Sequence, residues 1–335
     1  MRELKTVNKV LEVNNLVTSF HTKDGTFPAV NGVSFSLDAG ETFAIVGESG
    51  CGKSVTSLSI MKLLPEKSSV ISAESSIKFQ GREISRCTNK QMSALRGNEI
   101  SMVFQDSLTS LNPTLSIMTQ MIEPFVRHQG MSRAQAKEHV IDMLRKVGIP
   151  NPELRAKQYP HELSGGMRQR VIIAMALSCN PTVLIADEPT TALDVTIQAQ
   201  ILRMINELKT ALNTAVILIT HDMGIVAEMA DRVMVMYGGV AVEEGDCYSL
   251  FTNPLHPYTR GLPASIPKIN DDRRLHTIDG TVPSLKNMPK GCRFSGRCPD
   301  CTERCRQTNP PFYLVGKQKV RCFRYEGTAV EEVGK

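Results

Sequence analysis

Apolar and polar positions alternate with period two over residues 10–17 and again over 30–37, with a polar turn around Asp24-Gly25 between them. That alternation predicts two half-buried strands. Continuous apolar runs at 42–46, 100–104, 182–186 and 215–220 predict strands buried on both faces. A short strand at 75–79 turns back at Gln80-Gly81-Arg82-Glu83. Spacing near 3.6 residues governs 118–147, through Met121, Ile122, Phe125, Val126, Ala136, Val140, Ile141, Met143, Leu144 and Val147. It predicts a helical insertion, closed by Gly148-Ile149-Pro150-Asn151-Pro152. Helices are also expected over 55–64 and 195–208, and a hairpin over 233–245 finishes the sheet. Beyond residue 260 the texture shifts to Pro, Asp and Lys, which places a boundary there and a separate C-terminal extension. Buried strands interleaved with helices make the chain α/β.

Composition narrows the class. Charged residues are 22% and hydrophobic ones 41% of 335, ordinary for a soluble globular protein. No apolar run approaches the roughly 18 residues of a membrane span. Met1-Arg2-Glu3-Leu4-Lys5 lacks a secretory apolar core, so a cytosolic chain is expected. A net charge of +5 is too weak to argue for nucleic acid. Of nine cysteines, Cys292, Cys298, Cys301, Cys305 and Cys322 crowd the C-terminal end. In a reducing compartment such a cluster points to a metal rather than to disulfides.

The chemistry starts at Gly47-Glu48-Ser49-Gly50-Cys51-Gly52-Lys53-Ser54, which follows a buried strand and opens a helix. Glycines at this spacing let backbone N–H groups cradle phosphate oxygens over the positive end of a helix dipole. Lys53 would reach the β- and γ-phosphates and Ser54 would place its hydroxyl on Mg²⁺. Gln105 ends the 100–104 strand, where it can touch Mg²⁺ or water. Ser164 caps a helix whose first residues, Gly165-Gly166, present bare amides as a second anion site. The 182–186 strand ends in Asp187-Glu188. Adjacent strand residues face opposite ways, so Asp187 suits the Mg²⁺ shell and Glu188 suits orienting or deprotonating water. His221 at the tip of 215–220 suits a γ-phosphate sensor, and Phe20 offers a face for an adenine ring.

Together these segments resemble the ATPase subunits of ABC transporters. The order and spacing of 47–54, Gln105, Leu163 to Gln169, Val183 to Glu188, Ala192-Leu193-Asp194 and His221 carry the likeness over the first 250 residues or so. Ser110-Leu111-Asn112-Pro113, His256-Pro257-Tyr258-Thr259 and the cysteine-bearing tail resemble its bacterial dipeptide/oligopeptide importer branch. The resemblance implies a P-loop ATPase core over 1–260, with an antiparallel β subdomain and a helical subdomain inserted at about 92–165. A small cysteine-bearing extension follows over 261–335. It implies ATP and Mg²⁺, the latter held by Ser54, Gln105 and Asp187, with catalysis by Glu188, His221 and Gln105. The signature Ser164, Gly165, Gly166, Met167 and Gln169 would cap ATP held by a second subunit, and Asp194 falls in the D-loop. Ser107 stands where a proline is usual, Met167 where a glutamine is usual, and Phe20 where a tyrosine is more frequent.

The partners so implied are a second ATPase subunit (a sister chain, forming a heterodimer), two transmembrane permease subunits and an extracytoplasmic peptide-binding protein. No nucleic acid is implied. The chain would sit peripherally on the cytoplasmic face of the membrane, and ATP would act as glue between two ATPase domains whose closure drives alternating access. Cys292-x5-Cys298-x6-Cys305-x16-Cys322 matches the branch, for which a [4Fe–4S] cluster is implied. The Cys298-x2-Cys301 spacing also suits Zn²⁺, and unligated thiols stay open. A soluble ATPase of nucleic-acid or ribosome metabolism, and an exporter subunit, are the competing readings.

Overall fold

A computed structural model describes residues 8–106, 110–191, 193–264 and 278–328. Two compact units form within them. One comprises the described parts of Met1–Leu11, Leu37–Glu41 and Arg86–Leu218, and the other those of Glu12–Ser36, Thr42–Ser85 and Ile219–Lys335. They are called here the helical unit and the phosphate-loop unit.

The phosphate-loop unit begins with β1 (Lys9–Thr22) and β2 (Gly25–Asp38), longer than their alternation suggested. β3 (Thr42–Val46) is buried throughout and leads through the glycine loop into α1 (Lys53–Ile60). That helix starts earlier and ends earlier than 55–64, because Gly52 at φ 104° turns the chain directly into Lys53. β4 (Ser69–Ile71), β5 (Ser76–Phe79) and β6 (Arg82–Glu83) complete a sheet of order β2-β1-β5-β6, with β4 paired antiparallel to β1 and β5 antiparallel to β6.

The helical unit continues with α2 (Asn89–Leu95), whose N-terminus is closed by a reciprocal Thr88–Gln91 capping box. β7 (Ile100–Val103) follows. The predicted insertion is α3 (Ile117–Gln129) and α4 (Arg133–Lys146), separated at Gly130, which sits at φ 65°. Their buried faces carry Met121, Phe125, Ala136, Val140, Met143 and Leu144, all selected by the 3.6-residue spacing, whereas Ile122 and Ile141, selected likewise, are half-buried and Val126 is exposed. α5 (Pro152–Arg155) and α6 (Gly165–Leu177) lead to β8 (Val183–Asp187), then α7 (Val195–Leu212) and β9 (Ala215–Thr220). β7, β8 and β9 are neighbours in the order β9-β8-β7, with β7 parallel to β8.

Back in the phosphate-loop unit come α8 (Met223–Met229), β10 (Arg232–Tyr237), β11 (Val240–Asp246), α9 (Cys247–Thr252) and α10 (Pro257–Ala264). α11 (Glu303–Gln307), β12 (Tyr313–Val315) and β13 (Gln318–Val320) end the described fold. The hairpin β10–β11 does not finish the sheet as expected. β13 pairs antiparallel with β11 and β12 with β13, giving the order β12-β13-β11-β10-β3. The extension is likewise not separate in its packing: Phe294, Ile278, Val282, Cys292 and Cys298 share one apolar cluster with Ala44, Val46, Val233 and Val235. A segment this short gains its buried area by leaning on strands that already exist.

Candidate nucleotide site

Two glycines of the loop, Gly47 and Gly52, sit where nothing larger fits. Gly47 holds φ 150°, and a Cβ there would meet the Met236 carbonyl oxygen at 2.2 Å and Cys51 Sγ at 2.7 Å. Gly52 holds φ 104°, with the Ala29 carbonyl oxygen 2.8 Å from the same imagined atom. Lys53 is buried at 6% exposure, and its ammonium donates to the carbonyls of Gly47 at 2.7 Å and Glu48 at 3.1 Å. Those neutral acceptors hold a cation without cancelling its charge, so the ammonium suits a phosphate. Ser49 and Gly50 are exposed, Cys51 is buried and Ser54 half-buried at the start of α1. Burial raises the Cys51 thiol above its ordinary range, so it packs rather than reacts.

Glu48 is tied to distant parts of its unit. Its N–H donates to the Tyr258 hydroxyl at 2.9 Å, and its carboxylate accepts from Arg297, 249 residues away, at 3.0 Å. Phe20 lies half-buried near the end of β1, paired with Ser69 of β4. His221 is exposed just past β9, beside Asp222, whose carboxylate caps α8 by accepting from Gly224 and Ile225.

In the helical unit, β8 delivers Asp187 at 4% exposure and then Glu188 in a left-handed conformation, φ 47°. That backbone costs a non-glycine residue about 1–3 kcal/mol and is held only where surroundings enforce it. Here the Thr191 N–H donates to the Glu188 carbonyl at 3.2 Å, and two side chains fix the carboxylate. Gln105 Nε2 and Thr191 Oγ1 each donate to Glu188 Oε2 at 2.9 Å. The structure thus joins Gln105 to Glu188 across 83 residues of chain. Thr191 was passed over by sequence reasoning, although a hydroxyl three residues past a carboxylate is a common local turn partner.

Ser164 caps α6 as expected, accepting from the Met167 N–H at 3.3 Å. A Cβ on Gly166 would meet Ile197 Cγ2 at 2.9 Å, so this glycine also permits close packing of α6 on α7. Met167 lies half-buried in the first turn of α6. Gln169 is buried and donates to the Pro189 carbonyl at 2.5 Å, tying α6 to the turn that carries Glu188. Asp194 caps α7 by accepting from the Ile197 N–H at 2.9 Å. Ser107 and Ala192 lie outside the described residues.

The hydroxyl of Ser54, the amide oxygen of Gln105 and the carboxylate of Asp187 are each hard donors of the kind Mg²⁺ takes. The cysteines present a different chemistry. Cys292, Cys298, Cys305 and Cys322 line a cavity of about 150 Å³, together with Ser295, Thr302 and Phe323. Cys301 is not among the lining residues, and its thiol donates to the Thr302 carbonyl. Burial pushes the Cys292 and Cys298 thiols up to about 11, and neighbouring cysteine charges push the same way. Among the described residues no group of three or more His, Cys, Asp or Glu is arranged to hold a metal ion.

Known proteins resemble the chain in two stretches. The family described as "ABC transporter" matches residues 30–191, and "Oligopeptide/dipeptide transporter, C-terminal region" matches 242–305. The oligopeptide transport ATP-binding protein AppD of Bacillus subtilis (strain 168) is 50% identical over 97% of this chain and 100% of its own length. The dipeptide transport ATP-binding protein DppD of the same organism is 53% identical over 91% of each chain. The oligopeptide transport ATP-binding protein OppD of Salmonella typhimurium (strain LT2) is 48% identical over 95% of this chain and 94% of its own. Among solved structures, the dimeric post-hydrolysis state of the ATP-binding cassette MJ0796 bound to ADP and Pi aligns with a TM-score of 0.63. It is 25% identical and covers 71% of this chain and 98% of its own.

Proposed function

Since the chain belongs to the ABC-transporter ATP-binding proteins that serve dipeptide and oligopeptide transport, we propose residue roles for a peptide-import ATPase. The protein binds and hydrolyses ATP and energises import of di- or oligopeptides. One observation carries this: the ATPase match and the oligopeptide/dipeptide transporter match lie in a single chain. The soluble nucleic-acid or ribosome reading has no comparable support.

The backbone amides of 47–54 bind the phosphates, with Lys53 turning from its carbonyl acceptors to the β- and γ-oxygens. Phe20 stacks on the base. Ser54, Gln105 and Asp187 would hold Mg²⁺, which supplies positive charge to the transferring phosphoryl group. Glu188 orients the attacking water and takes its proton, held at the required angle by Gln105 and Thr191. His221 donates to the γ-phosphate. The signature 164–169 caps nucleotide held by the facing subunit, so each pocket is finished by a second ATPase, a sister chain. Support for a dimeric arrangement is that the aligned MJ0796 structure is itself dimeric.

Domain limits of 1–260 and 261–335, with a helical subdomain at about 92–165, are part of this reading. So are two permease subunits, an extracytoplasmic peptide-binding protein and a peripheral place on the cytoplasmic face. Among the described residues no helix is long and apolar enough to cross a membrane. In the tail, Cys292, Cys298, Cys305 and Cys322 would hold a [4Fe–4S] cluster, as the family resemblance implies. That the four thiols line one cavity supports this set, although among the described residues no group of three or more His, Cys, Asp or Glu is arranged to hold a metal ion. The exclusion of Cys301 from the lining favours the same set.

Pull-down of the tagged chain from membranes, followed by mass spectrometry, tests the assembly. Two permeases and a sister ATPase are expected, and recovery as a free protein with nucleic-acid partners would contradict it. Anaerobically purified protein is expected to be brown, and a colourless zinc-bearing sample would remove the cluster.

A further inference from the structure

A carboxylate in a loop that receives a polyanion is a liability unless something neutralises it, and Glu48 is such a carboxylate. Its side chain is no part of a phosphate cradle, which the backbone makes. Arg297 meets it from the cysteine-bearing segment. One guanidinium nitrogen, Nη1, donates to both Glu48 carboxylate oxygens at 3.0 Å and to the Tyr237 hydroxyl at 3.3 Å. Nε donates to the Asp279 carbonyl at 2.7 Å and Nη2 to the Ile278 carbonyl at 3.0 Å. The Arg297 side chain is 8% exposed, packed with its guanidinium near the rings of Tyr237 and Phe294. Every nitrogen of the fork is used, so its position is fixed by the segment around it.

Glu48 passes that restraint on. Its N–H is held by Tyr258, and its carbonyl accepts both from Cys51 N–H at 3.3 Å and from Lys53 Nζ at 3.1 Å. One residue therefore links the extension to the lysine that reaches the phosphates. We propose that Arg297 is a positioning residue for nucleotide binding: through Glu48 it fixes the first turn of the phosphate loop and cancels that turn's negative charge. Folding of the cysteine-bearing segment, Cys298 being the next residue in the chain, then sets the affinity for ATP. The inference rests on reading 47–54 as the ATP site.

Equilibrium binding of a fluorescent ATP analogue to the full chain tests it, with thermal melting as the check on folding. Arg297→Met is expected to weaken binding about tenfold, and Arg297→Lys, which keeps charge but not the fork, by about threefold. In a Glu48→Gln background, adding Arg297→Met should change affinity by less than about twofold, because the charge it served is gone. Wild-type affinity in both Arg297 variants would overturn the proposal. So would an Arg297→Met loss of equal size in either background. A wild-type chain that bound no nucleotide would strike the ATP-site reading itself, a distinct result.

Discussion

The two strand ends that carry the chemistry are built in opposite ways. After β3, the 47–54 loop is made by backbone: glycines at φ 150° and 104° sit where a single added carbon would strike a carbonyl oxygen. After β8, a backbone bond from Thr191 N–H to the Glu188 carbonyl at 3.2 Å closes the turn, and side chains brace it. Glu188 adopts a left-handed backbone without the glycine that usually allows it, and hydrogen bonds from Gln105 and Thr191 hold it there. A phosphate cradle needs many weak donors in a fixed curve, which only the main chain supplies. A water-activating carboxylate needs one group aimed to within a fraction of an ångström, which is worth local strain.

The sharpest way to break this contrast is at the carboxylate. Glu188→Gln keeps the shape and a similar bonding pattern but removes the base, so ATP turnover should fall by about 10²–10⁴-fold while ATP binding persists. Normal steady-state turnover would remove Glu188 from its role. At the cradle the expected damage is to binding and folding instead. Gly47→Ala should cost about 1–3 kcal/mol of stability and most nucleotide affinity, measured by melting and equilibrium binding. Gly50→Ala probes the same loop where no atom lies within 4 Å of the new carbon, leaving only the strain of φ 78°, so its effect should be smaller. Equal effects would show that backbone angle, not close approach, limits the loop.

A smaller effect is expected beneath the cradle. Tyr258, which holds the Glu48 N–H, donates its own N–H to His256 Nδ1 at 3.1 Å, and His256 is wholly buried. Burial, with Arg260 nearby, holds His256 down to about 3 from an ordinary 6.5. The unfolded chain takes a proton below 6.5 that the folded chain refuses. This contribution is therefore complete above pH 6.5 and lost as pH falls toward 3, by up to about 1.4 kcal/mol per pH unit. The melting temperature should drop on acidification from pH 7 to 5, and His256→Asn should flatten that slope. Phe20→Ala should weaken ATP binding only severalfold, about 0.5–1.5 kcal/mol, in a binding titration.

Much of this was legible in the chain itself. The glycine loop, Gln105, Ser164-Gly165-Gly166, Asp187-Glu188 and His221 all stand at the ends or starts of elements whose period marks them. The buried faces of α3 and α4 fell largely where helical spacing put them, with Val126 exposed instead. What escaped has a common cause: long sequence separation. β13 joining β11, Phe294 entering the core and Arg297 reaching Glu48 depend on pairings that no local window contains. Strands as short as β12 and β13 also give almost no alternation to detect. The cysteine spacing left zinc, cluster and unligated thiols open; the four that the family resemblance singled out line one cavity, and Cys301 does not.

The central claim is that this chain owns half of each working pocket: a cradle that binds ATP and a signature that caps nucleotide on a facing subunit. ATPase rate per chain, followed across a wide range of protein concentration with and without the sister subunit, tests it most directly. The rate should rise from near zero with concentration or on adding the partner. Full turnover by a strict monomer, constant under dilution, would contradict the account.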